Sequence, residues 1–281
     1  MKRLKQAPRA ARWRTAALAA VISAAAVPSR PMAARGVAQA GFRKTGPGQI
    51  VACWQTNGAS ATAAPWIVAI DVRSGKRQSL VAGATAARLA PDGRALTFRQ
   101  NDALWTRSAR GVVHRVGLMD AVPVWSPDGR QIVASQARMT RENRFEYTTW
   151  RFNADGTHKV RLPIPSTDGV TDWSADGNWL LTTSDRLPPY GRGYQIYRIS
   201  PDGVRQRRLT PPGGLNGGAR FSPRGRRIIY SHQEHGVDSL WVVDVDGRHR
   251  RCLFLDANVL CRDTCLSPDG KQIAVVLEEM A

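Results

Sequence analysis

The sequence predicts an all-β protein, a β-propeller of four-stranded antiparallel blades, and three observations lead to this prediction. One turn unit recurs in five strong copies, and its closing glycines fall at positions 93, 129, 177, 225 and 270. Each full period contains four short apolar runs separated by turn residues. From residue 46 onward, no stretch has the spacing of an amphipathic helix of ordinary length. A repeat of this length with four strands is typical of a propeller blade.

The turn unit itself explains why it connects two strands. Its clearest copy is WSPDGRQIVAS, at Trp125–Ser135. Proline fixes the φ of the second turn position, aspartate bonds its own backbone, and glycine adopts the positive φ that closes the hairpin. A large apolar residue precedes the turn and a β-branched run follows it, as expected for buried strands. The other copies are Leu89–Arg99, Trp173–Thr183, Phe221–Ser231, Leu266–Val276 and a weaker first one at Gly46–Trp54.

The repeated turn aspartates could be interpreted as acid/base groups or metal ligands. They are Asp92, Asp128, Asp176 and Asp269, but the fourth strong copy has Arg224 at the same place. Because the surrounding pattern survives this reversal of charge, we assign the aspartates a structural role in the turn.

The strands follow in chain order. Three precede the first strong turn. The complete units are best seen from residue 121 onward, in Ala121–Trp125, Gln131–Ser135, Tyr147–Phe152 and Lys159–Leu162, then Gly169–Trp173, Asn178–Thr183, Tyr194–Ile199 and Arg207–Thr210, then Gly218–Phe221, Arg227–Ser231, Ser239–Asp244 and Arg251–Leu255. Two final strands are predicted at Asp263–Leu266 and Gln272–Leu277. These strands predict five to six blades. Either five blades form the ring, which an extra strand closes, or the ring has six blades and the last one is incomplete.

The N-terminal 40 residues have the layout of a secretory signal peptide. Six Lys/Arg within residues 1–14 precede an apolar stretch at Thr15–Val27, and small residues lead to Ala38-Gln39-Ala40. Thirteen apolar residues are too few for an ordinary membrane span. We therefore predict a signal peptide over 1–40, a propeller over 41–281 without a transmembrane span, and export to the periplasm or beyond. Cleavage near Ala25 and an uncleaved anchor remain alternatives.

The charge of the chain favours an anionic partner. The formal net charge is +19; residues 1–40 hold eight Lys/Arg and no Asp/Glu, so 33 basic and 22 acidic residues remain and the net charge is +11. Basic proteins attract anionic polymers, membranes and acidic proteins. Nucleic acid is not expected, because the chain is predicted to be exported and its arginines are scattered over most repeats.

Four cysteines, Cys53, Cys252, Cys261 and Cys265, suit disulfides in an exported chain. Pairing of Cys53 with Cys265 would join the two ends of the ring and leave Cys252 to pair with Cys261, but three connectivities are open. A zinc site is disfavoured, since Cys261 and Cys265 have no neighbouring histidine. We expect no cofactor and no metal.

The repeats resemble those of the TolB-like family of propellers, which is related to the WD-type propellers. The resemblance rests on Ser184-Asp185-Arg186, on Gln195–Ile199 followed by Pro201-Asp202-Gly203, and on Arg207–Thr210. It covers roughly residues 46–281 and implies a propeller that usually has six blades. TolB itself looks to have an α/β domain before its propeller, for which we expect no room here, so contacts made by TolB are not carried over.

A binding site is expected on the face that carries the loops between second and third strands, because these loops are longer and differ between repeats. They are predicted at Gln136–Glu146, Asp185–Gly193 and His232–Asp238, with links near Asp120, Asp168 and Asn216. The candidate binding residues are Arg138, Arg141, Arg144, Asp185, Arg186, Tyr190, Arg192, His232, Glu234, His235 and Asp238. His232 and His235 also suggest a metal or acid/base pair, although an exposed polar loop explains so short a cluster better.

Together these observations predict an exported, monomeric, non-catalytic propeller that binds a protein or anionic polymer in the bacterial cell envelope. No catalytic residue is assigned, since no Gly-x-Ser-x-Gly elbow is present. The alternative is a hydrolase or lyase that acts on a carbohydrate or peptide at the channel mouth. It would bring together acids and a histidine from several blades, drawn from Asp120, Asp168, Asp172, Asp185, His232 and Asp263.

Overall fold

The computed structural model describes residues 41–42, 49–54, 66–71, 74, 76–118, 122–142, 144–187, 193–256, 259–267, 270 and 273–279. These residues form strands, turns and bends, with no helix among them. Accordingly, the described part of the chain contains no helical segment long and apolar enough to cross a bilayer. The predicted signal peptide lies outside these residues and stays a prediction.

The strands form six sheets, each made of consecutive antiparallel strands. Blade 1 contains β1 (Gly41–Phe42), β2 (Gln49–Trp54), β3 (Trp66–Asp71) and β4 (Arg77–Ala82). Blade 2 contains β5 (Thr85–Leu89), β6 (Leu96–Gln100), β7 (Ala103–Arg107) and β8 (Val113–Leu118). Blade 3 contains β9 (Val124–Trp125), β10 (Gln131–Met139), β11 (Phe145–Asn153) and β12 (Val160–Arg161).

The remaining sheets continue the same order. Blade 4 contains β13 (Asp168–Trp173), β14 (Leu180–Ser184), β15 (Gln195–Ile199) and β16 (Gln206–Arg208). Blade 5 contains β17 (Leu215–Phe221), β18 (Arg227–Glu234), β19 (Val237–Asp244) and β20 (Arg251–Asp256). Blade 6 contains, within the described residues, β21 (Val259–Leu266) and β22 (Ile273–Glu279). The prediction of an all-β propeller of four-stranded antiparallel blades is confirmed, and among the described residues only the last blade has two strands.

The first strands of the blades lie next to one another around the axis of the ring. Contacts run from β1 to β5, β9, β13, β17 and β21, and β21 also contacts β1. The ring therefore closes through the innermost strands of blades 1 and 6.

The hydrophobic core is divided among the spaces between neighbouring blades. Between blades 4 and 5, for example, Leu181, Ile196 and Leu209 pack against Phe221 and Ile228. Comparable clusters fill the spaces between blades 1 and 2, 2 and 3, 3 and 4, and 5 and 6. Because blades 2 to 5 bury both of their faces, their strands are nearly continuous apolar runs rather than alternating ones.

The repeated turn has the geometry that its sequence predicts. In blade 3 the N–H of Gly129 donates to the carbonyl of Ser126 at 2.9 Å, and Gly129 has a φ of 70°. The Ser126 hydroxyl donates to the Asp128 carboxylate at 2.6 Å and accepts the N–H of Gln131 at 2.8 Å. The hydroxyl of Ser126, and after it the N–H of Arg130, lower the pKa of Asp128. The carboxylate is thus part of the turn, which matches the structural role assigned from the repeats.

Two predicted loops are in fact largely strand. The segment predicted as the loop Gln136–Glu146 is a hairpin in which β10 runs to Met139 and β11 begins at Phe145. The segment His232–Asp238 is mostly paired as well, because Glu234 still pairs with Val237. His235 and Gly236 form the turn with φ values of 52° and 78°. Two successive residues at positive φ are typical of a type I′ hairpin, whose usual Asn-Gly spelling is absent here.

Candidate functional site

The two faces of the ring carry different structures. Turns between first and second strands and between third and fourth strands share one face, which we call the turn face. Connections between second and third strands share the other face with the links between blades, and we call this the loop face. The loop face was predicted to carry the site.

Exposed apolar side chains gather on the loop face of blades 3, 4 and 5. Met139, Phe145, Tyr194 and Leu215 are 49%, 48%, 36% and 41% exposed. Met139 pairs with Phe145 across the hairpin, the Phe145 and Tyr147 ring centroids are 6.3 Å apart, and Tyr194 bridges to Leu215. We call these five residues the loop-face patch. Exposed apolar clusters of this kind mark interaction sites more often than isolated exposed residues do.

An open cleft of about 340 Å³ lies within the loop-face patch. Tyr147, Tyr194 and Leu215 line it together with polar groups of blades 4 and 5, among them Thr183, Asn216 and Asp238. The Thr183 hydroxyl is buried and has no hydrogen-bond partner among the described residues. Burial raises the pKa of Tyr147, and the neighbouring Tyr194 and Asp185 raise it further. The phenol of Tyr147 therefore stays protonated and can donate a hydrogen bond into the cleft.

Charged side chains around the loop-face patch form ion pairs. Arg138 contacts Glu146 at 2.9 Å, and Arg144 of blade 3 reaches Asp185 of blade 4 at 3.5 Å. Arg141 is exposed in the turn between β10 and β11. Four of the predicted binding residues therefore lie at the border of the loop-face patch rather than at its centre. Tyr190 and Arg192, also predicted, lie outside the described residues.

Two further predicted residues are held inside blade 4. Asp168 is fully buried and accepts the Thr182 hydroxyl at 2.7 Å and the Thr167 hydroxyl at 3.1 Å. Arg186 lies 3.8 Å from Asp168 and 3.6 Å from the ring centroid of Tyr197. Asp168 was predicted in an inter-blade link; it is the first residue of β13, where its carboxylate organises the strand ends.

His232 belongs to a buried hydrogen-bond network that joins blades 4 and 5. It was predicted in a loop, but it lies in β18 and is 8% exposed. Its Nδ1 lies 2.9 Å from Asn216 Oδ1, and the Asn216 amide donates to the Tyr194 carbonyl at 2.7 Å. Because the carbonyl oxygen of Asn216 can only accept, Nδ1 of His232 carries the proton. Nε2 then faces Glu234 at 3.5 Å.

Burial of His232 has a consequence for stability at acid pH. Desolvation, and after it the charge of Arg250, lower the pKa of His232, whereas Glu234 raises it. Because the folded-state pKa of His232 is below its unfolded value, the contribution of this histidine to stability is present above about pH 6.5. That contribution is lost as pH falls through the folded-state pKa. We expect the acid limb of the stability curve to become shallower in His232→Gln, with about 1–2 kcal/mol lost at neutral pH. Urea unfolding between pH 4 and 8 measures both effects.

The exposed His249 gives the matched control. We expect His249→Gln to keep the acid limb of the wild-type protein. An equally shallow acid limb in both variants would contradict the assignment to His232.

The predicted His232/His235 pair does not form a common site. His235 is exposed in the hairpin turn, whereas His232 is buried in the strand. In the part of the chain that the structure describes, no group of three His, Cys, Asp or Glu residues is placed to hold a metal ion.

Of the four cysteines, Cys252 can be described in atomic detail. It is exposed, is not in a disulfide, and its sulfur lies 3.2 Å from the Phe254 carbonyl. The side chains of Cys53, Cys261 and Cys265 lie outside the described residues, so pairing among these three, such as Cys53 with Cys265, stays a prediction.

The centre of the loop-face patch was missed from the sequence. Tyr147 and Tyr194 had been treated only as first residues of strand runs. A usable signal existed, because an aromatic residue lies at the loop-face end of the third strand in three blades. Trp66 begins that strand in blade 1, Tyr147 is its third residue in blade 3, and Tyr194 directly precedes it in blade 4. An aromatic side chain at a strand end next to loops is placed to meet a partner rather than to fill a core.

Across the described residues the architecture is that of a propeller with six sheets, in which a Ser-Pro-Asp-Gly type of turn joins the first two strands of most blades. The chain belongs to a known family of this class, because the model of the TolB beta propeller domain matches residues 101–279.

Solved structures show the same fold at low sequence identity. A structure provisionally named TolB from Agrobacterium tumefaciens is 17% identical, with a TM-score of 0.67 over 87% of this chain and 90% of that one. TolB from Acinetobacter baumannii is 16% identical, with a TM-score of 0.64 over 83% and 65% of the two chains. An oligogalacturonate lyase from Vibrio parahaemolyticus is 10% identical, with a TM-score of 0.59 over 85% and 70%. No curated protein matches the chain.

Proposed function

We infer that the protein is an exported, monomeric, non-catalytic propeller that binds a protein partner in the cell envelope through its loop face. The observation that carries this proposal is the loop-face patch, in which exposed apolar side chains from three blades surround a cleft. Interfaces typically have an aromatic and aliphatic centre with a charged rim. The loop-face patch has this composition, with Arg138, Arg144, Glu146 and Asp185 at its border.

The chemistry of the loop-face patch indicates what kind of partner fits. The cleft offers two tyrosines, the Leu215 side chain and the unpaired Thr183 hydroxyl. A partner segment that inserts an apolar side chain next to a backbone carbonyl would use all of these groups. The excess of arginine outside the loop-face patch, at Arg141 for example, favours acidic residues in the flanks of that segment.

The alternative, an enzyme of the hydrolase or lyase type, has less support. It is motivated by the similarity in fold to an oligogalacturonate lyase. Such an enzyme would need several acidic residues and a histidine that converge at one mouth of the propeller channel. Among the described candidates, Asp168 and Asp185 are each next to an arginine, Asp172 accepts a backbone N–H, and His232 is bonded to Asn216. Alanine at His232 and Glu234 would abolish any turnover under the enzyme hypothesis.

The proposal is tested by capture with matched variants. The immobilised full chain is incubated with a detergent extract of the envelope of the source bacterium, and retained proteins are identified by mass spectrometry. We expect one protein to be retained by the wild-type chain and by Val160→Asp/Val204→Asp, two exposed valines of the turn face. The same protein should be lost with Phe145→Asp/Leu215→Asp, because a buried unpaired charge at an interface typically reduces affinity by tenfold or more. Equal retention by both double variants would contradict the proposal.

A further inference from the structure

A second cleft lies on the turn face between blades 3 and 4, and it goes beyond the proposed function. Its volume is about 470 Å³. Three arginines line it: Arg151 on β11, Arg161 on β12, and Arg205 in the turn between β15 and β16. They come from two blades that the repeat pattern treats as equivalent. Their convergence is therefore a property of the folded ring and was not predicted.

The three arginines have little compensating charge. Among the described residues, neither Arg151 nor Arg161 has a carboxylate within ion-pair distance. The guanidinium of Arg205 lies 4.6 Å from the ring centroid of Trp179, which holds it in place. Its charge also lowers the pKa of Asp202, so Asp202 offsets part of the charge of Arg205. The guanidinium groups of Arg151 and Arg161 are therefore available for bidentate contact with an anionic group.

More positive charge lies on the other side of blade 4, the side that packs against blade 5. Arg198 and Arg207 are direct cross-strand partners in blade 4, an arrangement that places like charges opposite each other. Arg198 is partly buried, and its Nε has no acceptor among the described residues. Burial, followed by the charges of Arg207 and Arg205, lowers the pKa of Arg198, although Asp246 offsets part of this.

Two other lining groups indicate which anion fits. Asp202 lies in the cleft; the Ser200 hydroxyl and the Val204 N–H bond its carboxylate and lower its pKa, so it is ionised. A polymer with a phosphate on every unit would bring its charges against Asp202. A sugar hydroxyl could instead donate to that carboxylate, and another could bond the exposed amide of Asn178.

We propose that this cleft is a binding site for a linear acidic polysaccharide, in which the sugar carboxylates contact Arg151, Arg161 and Arg205 and the hydroxyls contact Asn178 and Asp202. The site lies on the opposite face from the loop-face patch. The protein can thus hold an anionic envelope polymer with one face and its protein partner with the other.

Titration of the full chain with a fluorescent polyuronate decamer at about 0.15 M salt tests the proposal. We expect Arg151→Gln/Arg161→Gln/Arg205→Gln to weaken binding at least about tenfold, because three charge-assisted contacts are lost. The matched control is Arg94→Gln/Arg130→Gln/Arg224→Gln. It removes the same charge from exposed arginines in the first turns of blades 2, 3 and 5, and its affinity should stay within about twofold of wild type.

Two more ligands distinguish an acidic polysaccharide from a neutral sugar polymer and from a phosphate polymer. An uncharged decamer should not bind, and a polyphosphate of equal charge should bind more weakly than the polyuronate. The proposal is overturned if the wild-type chain does not bind the polyuronate, if both triple variants lose affinity equally, or if polyphosphate binds more tightly. Phe145→Asp/Leu215→Asp should leave polyuronate binding unchanged, so failure of this site and failure of the proposed protein interface are distinguishable.

Discussion

Replacing Gly203 with alanine is expected to be among the most destabilising single substitutions in the chain. Gly203 closes the turn between the third and fourth strands of blade 4, with a φ of 75°. A Cβ built there would lie 2.3 Å from the carbonyl oxygen of Pro163, in the link that leads from blade 3 into blade 4. The positive φ costs an alanine about 1–2 kcal/mol, and overpacking against the link adds about 1–3 kcal/mol.

Gly225 provides the control that separates the two causes. It closes a turn of the same Ser-Pro-x-Gly type, here between the first and second strands of blade 5, with a φ of 66°, but a Cβ there would meet nothing within 4 Å. We expect Gly225→Ala to lose only the conformational part, about 1–2 kcal/mol. Urea unfolding at constant m-value measures the difference between the two variants. Equal destabilisation would show that the link at Pro163 moves away without cost, and that blades 3 and 4 are not packed as tightly as described.

Removal of the Asp172 charge is expected to stabilise the protein at neutral pH. Asp172 lies on β13, the innermost strand of blade 4, and its carboxylate accepts the N–H of Phe221 of blade 5 at 2.7 Å. Burial raises its pKa to about 6, although the N–H groups of Phe221 and Trp173 and the charge of Arg88 act in the opposite direction. The ionised carboxylate is therefore destabilising in the folded ring.

The sign of the pH dependence follows from this shift. Because the folded-state pKa is above the unfolded value, the contribution of Asp172 is fully present below about pH 4 and is lost as pH rises through about 6. Asp172→Asn keeps a carbonyl oxygen for the Phe221 N–H and cannot ionise. We expect it to gain roughly 1–3 kcal/mol over the wild-type protein between pH 4 and pH 7.5. Urea unfolding across this range measures the gain.

Asp176, four residues further along the same blade, is the matched control with the opposite sign. The hydroxyl of Ser174 and the N–H of Asn178 lower the pKa of Asp176. Asp176→Asn should therefore lose stability at neutral pH and converge on the wild type as pH falls. If Asp172→Asn shows no gain that increases with pH, the carboxylate of Asp172 is better solvated or better paired with arginine than its burial indicates.

The fold could be predicted because its information is local and repeated. The Ser-Pro-Asp-Gly turns fix where hairpins close, and the apolar runs on both sides fix which segments are buried, so one blade predicts the next. Strand ends were harder to place. Arg138 and Met139 have polar or flexible side chains that are typical of a loop. Both are nevertheless paired across the hairpin, Met139 with Phe145. Pairing with a neighbouring strand, rather than local preference, decides such boundaries.

The site could be predicted only in part, for the same reason. The sequence predicted a site on the loop face, and residues such as Arg138 and Arg144 do lie on that face. It did not distinguish a histidine in a buried network from one in an exposed loop, because His235-Gly236 was not recognised as a tight turn. The loop-face patch and the arginine cleft depend on contacts between blades. Tyr147 and Tyr194 are 47 residues apart in the sequence, and no spacing rule connects them.

The central claim, that the loop face binds a protein, is tested most directly by site-specific photocrosslinking in the cell envelope. A photoreactive residue is placed at Leu215 in the loop-face patch, 41% exposed, or at Val204 on the turn face, 77% exposed. We expect irradiation to produce one discrete protein adduct from position 215 and none from position 204, although position 204 is the more accessible. Adducts from both positions, from position 204 alone, or from neither would contradict the claim.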